Sequence, residues 1–528
     1  MKIKLTFFLI ALILFSCASK KDKEQNTVQR PNILFCIADD ASFPYMGAYG
    51  VSWVKTPAFD KVANNGLLFT NAYTPNAKCA PSRACVLTGR NSWQLEEAGN
   101  HVGNFPAKFK TYVEELEDNG YNVGYTGKGW APGNPGKING VRRELTGKYY
   151  NDSLVEKKLT KGIAKSNYAS NFDAFLADVD NDKPWCFWYG GREPHRIYEY
   201  GSGIKKGGKT LDMIDEVPGF WPDNDTIRTD MLDYAYEVEY FDNHLQRMLD
   251  KLEATGQLEN TIIVVTSDNG MPFPRAKAQE YEISNHMPFA IMWPKGIKNP
   301  GRVIEEYVSF IDLAPTFLEA AGISKDSIQM ESLTGQSLFP LFEEKKLHTE
   351  EDNYVLIGRE RHDYGRPNNQ GYPIRGIVRD SMLYLHNFKP ELWPAGNPET
   401  GYLDCDGSPT KTFILNKRRE NGESEYWELS FGKRGTEELF NLKTDMYCLD
   451  NLADNEVYAS IKESLKAKLF EELEKQNDPR IMGNGDVFDN YPFYSEKVWN
   501  FYEKYMSGER DFNLSWVNES DFEEEKLD

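Results

Sequence analysis

The stretch Asn32-Ile33-Leu34-Phe35-Cys36-Ile37-Ala38-Asp39-Asp40 decides the fold. An apolar run without polar alternation, closed by two carboxylates, predicts a strand covered on both faces, as in a parallel sheet between helices. Leu67–Tyr73, Tyr121–Gly124, Trp185–Tyr189, Ile262–Thr266 and Phe289–Trp293 read the same way, and helical patterns such as Thr111–Asn119 and Met231–Ala254 fall between them. That alternation predicts an α/β protein with a mostly parallel sheet and helices on both sides. In such sheets ligands bind beyond the C-terminal strand ends. Asp39-Asp40, the segment from Arg192 to His195, and Asp268-Asn269 all stand there.

After about residue 345 the pattern changes. Asn353–Ile357, Ile374–Val378 and Met382–Asn387 are predicted as strands of a smaller sheet, Tyr458–Gln476 as a closing helix, and Asp521–Asp528 as a frayed acidic tail. The division is therefore residues 31–345 for a catalytic domain and 346–528 for a C-terminal α+β domain closing its cleft. A chain of 528 residues suits two packed domains, and 40% hydrophobic residues exclude a disordered one. A net charge of −20 without a long basic stretch excludes nucleic acid as a partner, and any polyanionic ligand would need a local basic pocket.

Lys2 and Lys4 precede an apolar run, Leu5 to Phe15, shorter than the roughly 20 residues that span a bilayer. This predicts a signal peptide over residues 1–16. Leu14-Phe15-Ser16-Cys17 resembles a bacterial lipobox, which implies acylation of Cys17, a tether over 17–30 and a lipid anchor in the bacterial cell envelope, facing the periplasm or the cell surface. Of seven cysteines, setting aside Cys17 and Cys79 leaves an odd five, so at least one is free or pairs between chains. Cys36 and Cys186, inside apolar runs, are expected to be buried thiols.

The chemistry centres on Cys79-Ala80-Pro81-Ser82-Arg83-Ala84-Cys85-Val86-Leu87-Thr88-Gly89-Arg90. Pro81 suits a helix start, which would place Cys79 at the positive helix end beside Arg83 and activate even an unmodified thiol. The adjacent carboxylates Asp39 and Asp40, and Asp268 with Asn269 on another strand end, are awkward unless a cation neutralises them. Three carboxylates and an amide oxygen are hard-cation ligands.

The cysteine stretch matches C-x-P-S-R-x-x-x-L-T-G, and in this the chain resembles the type I, formylglycine-dependent sulfatases. The resemblance implies an alkaline-phosphatase-like α/β/α sandwich with a smaller C-terminal α+β domain. It also implies that a formylglycine-generating or anaerobic sulfatase-maturating enzyme oxidises Cys79 to formylglycine (3-oxoalanine). One hydroxyl of the hydrated aldehyde would attack sulfur, and deprotonation of the other would expel sulfate. One Ca2+ per chain would be held by Asp39, Asp40, Asp268, Asn269 and the residue from Cys79. Arg83, Lys128 (in Gly127-Lys128), His195 (in Glu193-Pro194-His195) and Lys277 (in Pro274-Arg275-Ala276-Lys277) match the sulfate pocket. Cations there would hold the tetrahedral anion, with His195 or Lys277 protonating the leaving oxygen.

One position departs from the pattern: Trp130 stands where many sulfatases have a histidine that turns over the diol, leaving His101, His286 or water for that step. Asp268 to Pro274, Pro194-His195-Arg196 and Arg361 to Arg375 resemble the branch of N-sulfoglucosamine sulfohydrolase and bacterial polysaccharide sulfatases. Ser284-Asn285-His286 replaces the Gly-Thr-Arg that relatives often carry. The expected substrate is a sulfated oligosaccharide, attacked from its end, with ulvan ahead of heparan-type glycans. Arg359 to Asp363, with Arg366 and Arg375, is expected to face the cleft, so that Arg361, His362 and Arg375 join His101 and His286 in binding sugar. A phosphomonoester or phosphonate hydrolase on the same fold, and a surface glycan-binding lipoprotein without turnover, are the alternatives.

Overall fold

A computed structural model describes residues 30–180, 182–422 and 424–527. The signal peptide, Cys17 and the tether up to Gln29 lie outside the described residues. The large sheet contains β1 (Asn32–Ala38), β2 (Leu67–Phe69), β3 (Asn122–Gly127), β4 (Lys148–Tyr149), β5 (Trp185–Gly190), β6 (Thr261–Ser267), β7 (Phe289–Met292) and β8 (Arg302–Ile304). Their spatial order is β8-β2-β7-β6-β1-β5-β3-β4. Only β7 runs against the rest. β1 lies in the middle, Phe35 opposite Trp188 of β5 and Val264 of β6.

The two-residue period of β1 divides the core. Leu34, Cys36 and Ala38 point into one apolar layer, and Ile33, Phe35 and Ile37 into the other. The first layer packs against α1 (Pro57–Asn64), α4 (Tyr168–Asp178) and α5 (Asp225–Ala254); the second against α2 (Cys79–Thr88), α3 (Tyr112–Asp118) and α6 (Leu313–Ala320). The result is an α/β/α sandwich. The run read as one strand over Leu67–Tyr73 is broken: Ala72–Tyr73 leaves β2 to pair with Val308–Ser309. Cys36 and Cys186 are buried free thiols, as are Cys79, Cys85, Cys405 and Cys448.

Beyond the sandwich, β9 (Tyr354–Arg359), β10 (Ile374–Arg379), β11 (Met382–Asn387) and β12 (Glu437–Asn441) form an antiparallel sheet backed by α8 (Ala459–Lys475). The chain between β11 and β12 returns to the sandwich. Its helix α7 (Pro409–Asn421) packs on α5, and Tyr402, Ile414 and Trp427 enter the first apolar layer. The expected fraying of the acidic tail is corrected. Asp521 is buried against Lys411 Nζ at 3.1 Å, and Glu523 Oε1 binds Arg418 and Arg419 at 3.1 and 3.0 Å. Both carboxylates find fixed cations, so this part of the tail is docked.

Candidate active site

The C-terminal ends of β1, β3, β5 and β6 converge on α2. Asp39 and Asp40 leave β1, Lys128 leaves β3, His195 follows β5, and Asp268 and Asn269 leave β6. Close approach of β3 and β5 fixes Lys128. Gly127 has φ +75°, and a Cβ there would lie 2.0 Å from the Gly190 carbonyl oxygen. Helix α2 begins at Cys79 itself, earlier than Pro81 predicted; Pro81 sits in the first turn, where its missing N–H has no intrahelical partner to lose.

The acidic residues are buried and each is held. Lys128 Nζ donates to Asp39 Oδ1 and Oδ2 at 2.9 and 2.6 Å. Lys277 Nζ donates to Asp40 Oδ2 at 2.7 Å, and Asn269 Nδ2 to Asp40 Oδ1 at 2.7 Å. Arg83 Nε donates to Asp268 Oδ2 at 2.7 Å, and its Nη1 to the carbonyl oxygens of Lys128 and Gly129 at 2.7 and 3.1 Å. Asp40 adopts φ +75°, a strained conformation for a residue with a Cβ, secured by its N–H donating to Asp268 Oδ1 at 3.1 Å. Burial pushes the Asp39 carboxyl up, but Lys128, then His195, Arg83 and Lys277 outweigh it and hold it well below the usual carboxylate range. Burial likewise depresses Lys277, and Asp40 and Asp406 overcome that to keep it charged.

Ligand atoms of Asp39, Cys79 and Asp268 lie within 4.8 Å of one another, and Cys79 Sγ is 4.0 Å from Asp40 Oδ1. Asn269 Oδ1 is buried without a hydrogen-bond partner. An orphaned amide oxygen among three carboxylates fits a hard divalent cation. The expected activation of the thiol is corrected. Burial drives the Cys79 thiol well above its usual range; Lys128 and Lys277 pull it back, but Asp39 and Asp268 push with the burial. An unmodified thiol is therefore kept protonated.

Cys79, Lys128, His195 and Lys277 open into one cavity of 380 Å³. His195 Nδ1 lies 2.6 Å from the Arg196 carbonyl oxygen, which can only accept, so Nδ1 carries hydrogen and Nε2 faces Asp40 Oδ2 at 3.8 Å. His101 lines the cavity as expected, its Nδ1 3.2 Å from Asp363 Oδ1 and its Nε2 buried without a partner. Burial, against the pull of Asp363, lowers its pKa. Trp130 donates Nε1–H to the Ala80 carbonyl oxygen at 2.9 Å, bracing the first turn of α2.

Four expected sugar contacts are elsewhere. His286 is stacked between Phe43 and Tyr73, with Nδ1 2.6 Å from Glu282 Oε1. Arg361 donates to the carbonyl oxygens of Asp489 and Tyr491 at 3.0 and 2.7 Å and lies over the Phe493 ring. His362 is fully buried, 2.9 Å from Asn76 Oδ1, and Arg375 joins Asp478 and Glu360 at 2.7 Å each. Arg359 and Arg366 both bind Asp404. The reason is common to the cluster: Arg359 and Arg375 stand in buried strands and Arg361 and Arg366 in the buried segment between them, so their guanidinium groups must find partners inside the protein.

Other cavity residues were not foreseen. Lys78 Nζ pairs with Asp363 Oδ2 at 2.8 Å and donates to the Asp404 carbonyl oxygen at 3.1 Å, and Lys277 Nζ pairs with Asp406 Oδ2 at 2.8 Å. Tyr364, Tyr494, Phe512 and Trp516 form an aromatic wall. Lys78 adjoins the cysteine motif and could have been suspected; Asp406 and the wall carry no local signal.

A family model described as Sulfatase matches residues 31–323, more than half of the chain. The chain belongs to the sulfatase family. It is a sulfuric ester hydrolase on an alkaline-phosphatase-like fold. Among sulfatases, it is 28% identical to an ulvan-active sulfatase of Formosa agariphila, over 87% of this chain and 83% of that one. It is 27% identical to the human N-sulphoglucosamine sulphohydrolase, over 87% of this chain and 93% of that one. A structure solved in complex with its substrate D-glucosamine-2-N,6-O-disulfate superposes with a TM-score of 0.61 at 21% identity, covering 85% of this chain and 99% of that one.

Proposed function

We propose that this sulfatase removes sulfate esters from the ends of sulfated oligosaccharides through a formylglycine made from Cys79. The observation that carries the reading is the convergence on one cavity of Cys79, at the first turn of α2, with Lys128, Lys277 and His195 beside an aromatic wall. The two sequence relatives named above act on sulfated glycans, which supports a carbohydrate; ulvan comes first and heparan-type glycans second. A cavity walled by the C-terminal segment suits a chain end.

Asp39, Asp40, Asp268, Asn269 and the residue from Cys79 would hold one Ca2+, which would supply positive charge beside the nucleophile and the sulfate oxygens. Formylglycine, when present, supplies the hydroxyl that attacks sulfur. The remaining work belongs to side chains. Arg83 is immobilised by Asp268 and two carbonyl oxygens, so it stiffens the floor under the nucleophile. Lys128 and Lys277 stay charged and offset the charge that builds on sulfate and the ester oxygen. His195 or Lys277 gives the leaving oxygen its proton. His101 can accept a proton at Nε2, held in place by Asp363, so among the two histidines named for the position of Trp130 it is the one in the cavity.

The test is co-expression with a maturation enzyme, followed by sulfate release and product mass over defined sulfated oligosaccharides, with matched aryl phosphate. Sulfate release lost in Cys79→Ala is expected. Phosphate release without any sulfate release would overturn the reading. We also place the mature protein in the envelope, anchored through acylated Cys17; a mature N-terminus elsewhere, found by mass spectrometry, would refute that.

A further inference from the structure

We propose that a basic groove adjoining Lys128 and His195, lined by Lys158, Lys165 and Arg192, binds a second anionic group of the substrate. The group would be a carboxylate or sulfate on the same oligosaccharide. This rests on the sulfated-carbohydrate reading above and adds to it what the substrate must carry besides its scissile sulfate.

The groove is a cavity of 680 Å³ that shares Lys128 and His195 with the active cavity and reaches Asp39. Lys128 and His195 therefore stand where two cavities meet. The cavities differ in charge. In the aromatic cavity Lys78, Lys128 and Lys277 are each taken by a carboxylate. In the groove, Lys158 Nζ donates to the Lys161 carbonyl oxygen at 3.4 Å and its charge faces Glu237, while that of Arg192 faces Glu193, yet no close ion pair engages Lys158, Lys165 or Arg192 among the described residues. Lys157 and Lys161 add to the same loop, whose own lysines outnumber Asp152 and Glu156, with Glu193, Glu199 and Glu237 standing beside it. In a chain of net charge −20, cations without a close ion pair at one mouth of the active site are the local basic pocket that a polyanion requires.

The loop is also built rather than slack. Val155 N–H donates to the Lys165 carbonyl oxygen at 2.8 Å, and Asn167 N–H to that of Ser153 at 2.9 Å, closing it at its base. Ala164 N–H donates to Glu193 Oε1 at 2.8 Å, which ties it to the segment carrying His195. Lys161 N–H donates to Glu199 Oε2 at 3.0 Å. The backbone that carries Lys158 and Lys165 is thus held at a set place relative to the segment bearing His195.

The experiment uses the full chain with Cys79→Ala, so that binding is read without turnover, and a sulfated disaccharide whose second ring is a uronate, beside its methyl ester. The ester keeps the shape and removes one charge. Calorimetry should show the acid binding about tenfold more tightly than the ester, a preference that shrinks with added salt. Lys158→Ala/Lys165→Ala/Arg192→Ala should erase the preference, and Arg192→Lys should keep most of it. Equal affinities for acid and ester, or a preference that survives the triple substitution, would overturn the subsite. Sulfate release by the matured protein is measured separately on the same disaccharide. Release without preference removes the subsite and leaves the sulfatase reading standing; preference without release does the reverse.

Discussion

Arg375 separates a structural from a substrate-binding role most sharply. Its guanidinium is fully buried over the Trp93 ring, donating to both carboxylate oxygens of Asp478, to Glu360 and to the carbonyl oxygens of Arg359 and Ile374. Arg375→Met removes the cation and leaves its partners in place. Glu360 keeps Arg480 at 2.5 Å, but Asp478 keeps only the Arg480 N–H at 3.0 Å. Breaking a buried pair costs about 3–5 kcal/mol, and the surviving Arg480 contacts put this case near about 3 kcal/mol. Unfolding entropy of about 2.1 cal/mol/K per residue over 528 residues then converts that loss into a fall in Tm of about 3 °C. Arg361→Met strands no carboxylate, only two carbonyl oxygens and a ring, and should lose about half as much. The assay pairs thermal melts with KM for sulfate release. An unchanged Tm with a raised KM in Arg375→Met would show that the arginine reaches substrate after all.

Maturation should lower the mass of the Cys79 peptide by the change from thiol to aldehyde, seen by mass spectrometry; without it, sulfate release should stay at background because burial keeps the thiol protonated. Chelation should abolish turnover and calcium should restore it better than zinc, since oxygen donors dominate the site; Asp39→Asn should weaken calcium binding in a direct titration. His244, buried against Tyr168 and Tyr240, has its pKa pushed down to about 3 by burial and then by Arg247. It is neutral when folded and protonated when unfolded below about pH 6.5, so its contribution is present above pH 6.5 and is lost as pH falls toward 3. His244→Phe should flatten the fall in urea-unfolding stability across that window relative to the parent.

Strands buried on both faces were legible because nothing else gives an unbroken apolar run of that length. β1 and β11 fall within the predicted bounds, and β3, β5 and β6 differ only at their ends. Helix ends were legible where a cap marks them: Thr111 accepts from Glu114 N–H at 3.2 Å and Glu114 returns the bond. β12 and α7 were missed, because a mixed strand such as Glu437–Asn441 and a helix as polar as Pro409–Asn421 acquire their places from tertiary packing. The break after Phe69 has no local signal either; it follows from Tyr73 turning to His286 and the second small sheet.

The active site divides along the same line. Asp39, Asp40, Asp268, Asn269 and Lys128 were readable because each follows a buried strand within two residues, with His195 five residues beyond β5, and strand ends in a parallel sheet converge whatever the intervening sequence does. Arginines after the domain switch looked equally placed, yet the same logic misled there. β9 and β10 are buried, and an arginine in these strands or in the segment between them stands in low-dielectric surroundings where an unpaired charge is not tolerated. Arg359, Arg366 and Arg375 are accordingly consumed by Asp404, Asp478 and Glu360. Cations without a close ion pair occur where solvent shares their cost, as in the lysine loop beside His195, whose Lys165 is exposed. Charge in this sequence thus marked where a cation could stand, while position relative to the cavity decided which cations face it: Lys128 and Lys277 line it, and Arg359, Arg366 and Arg375 do not.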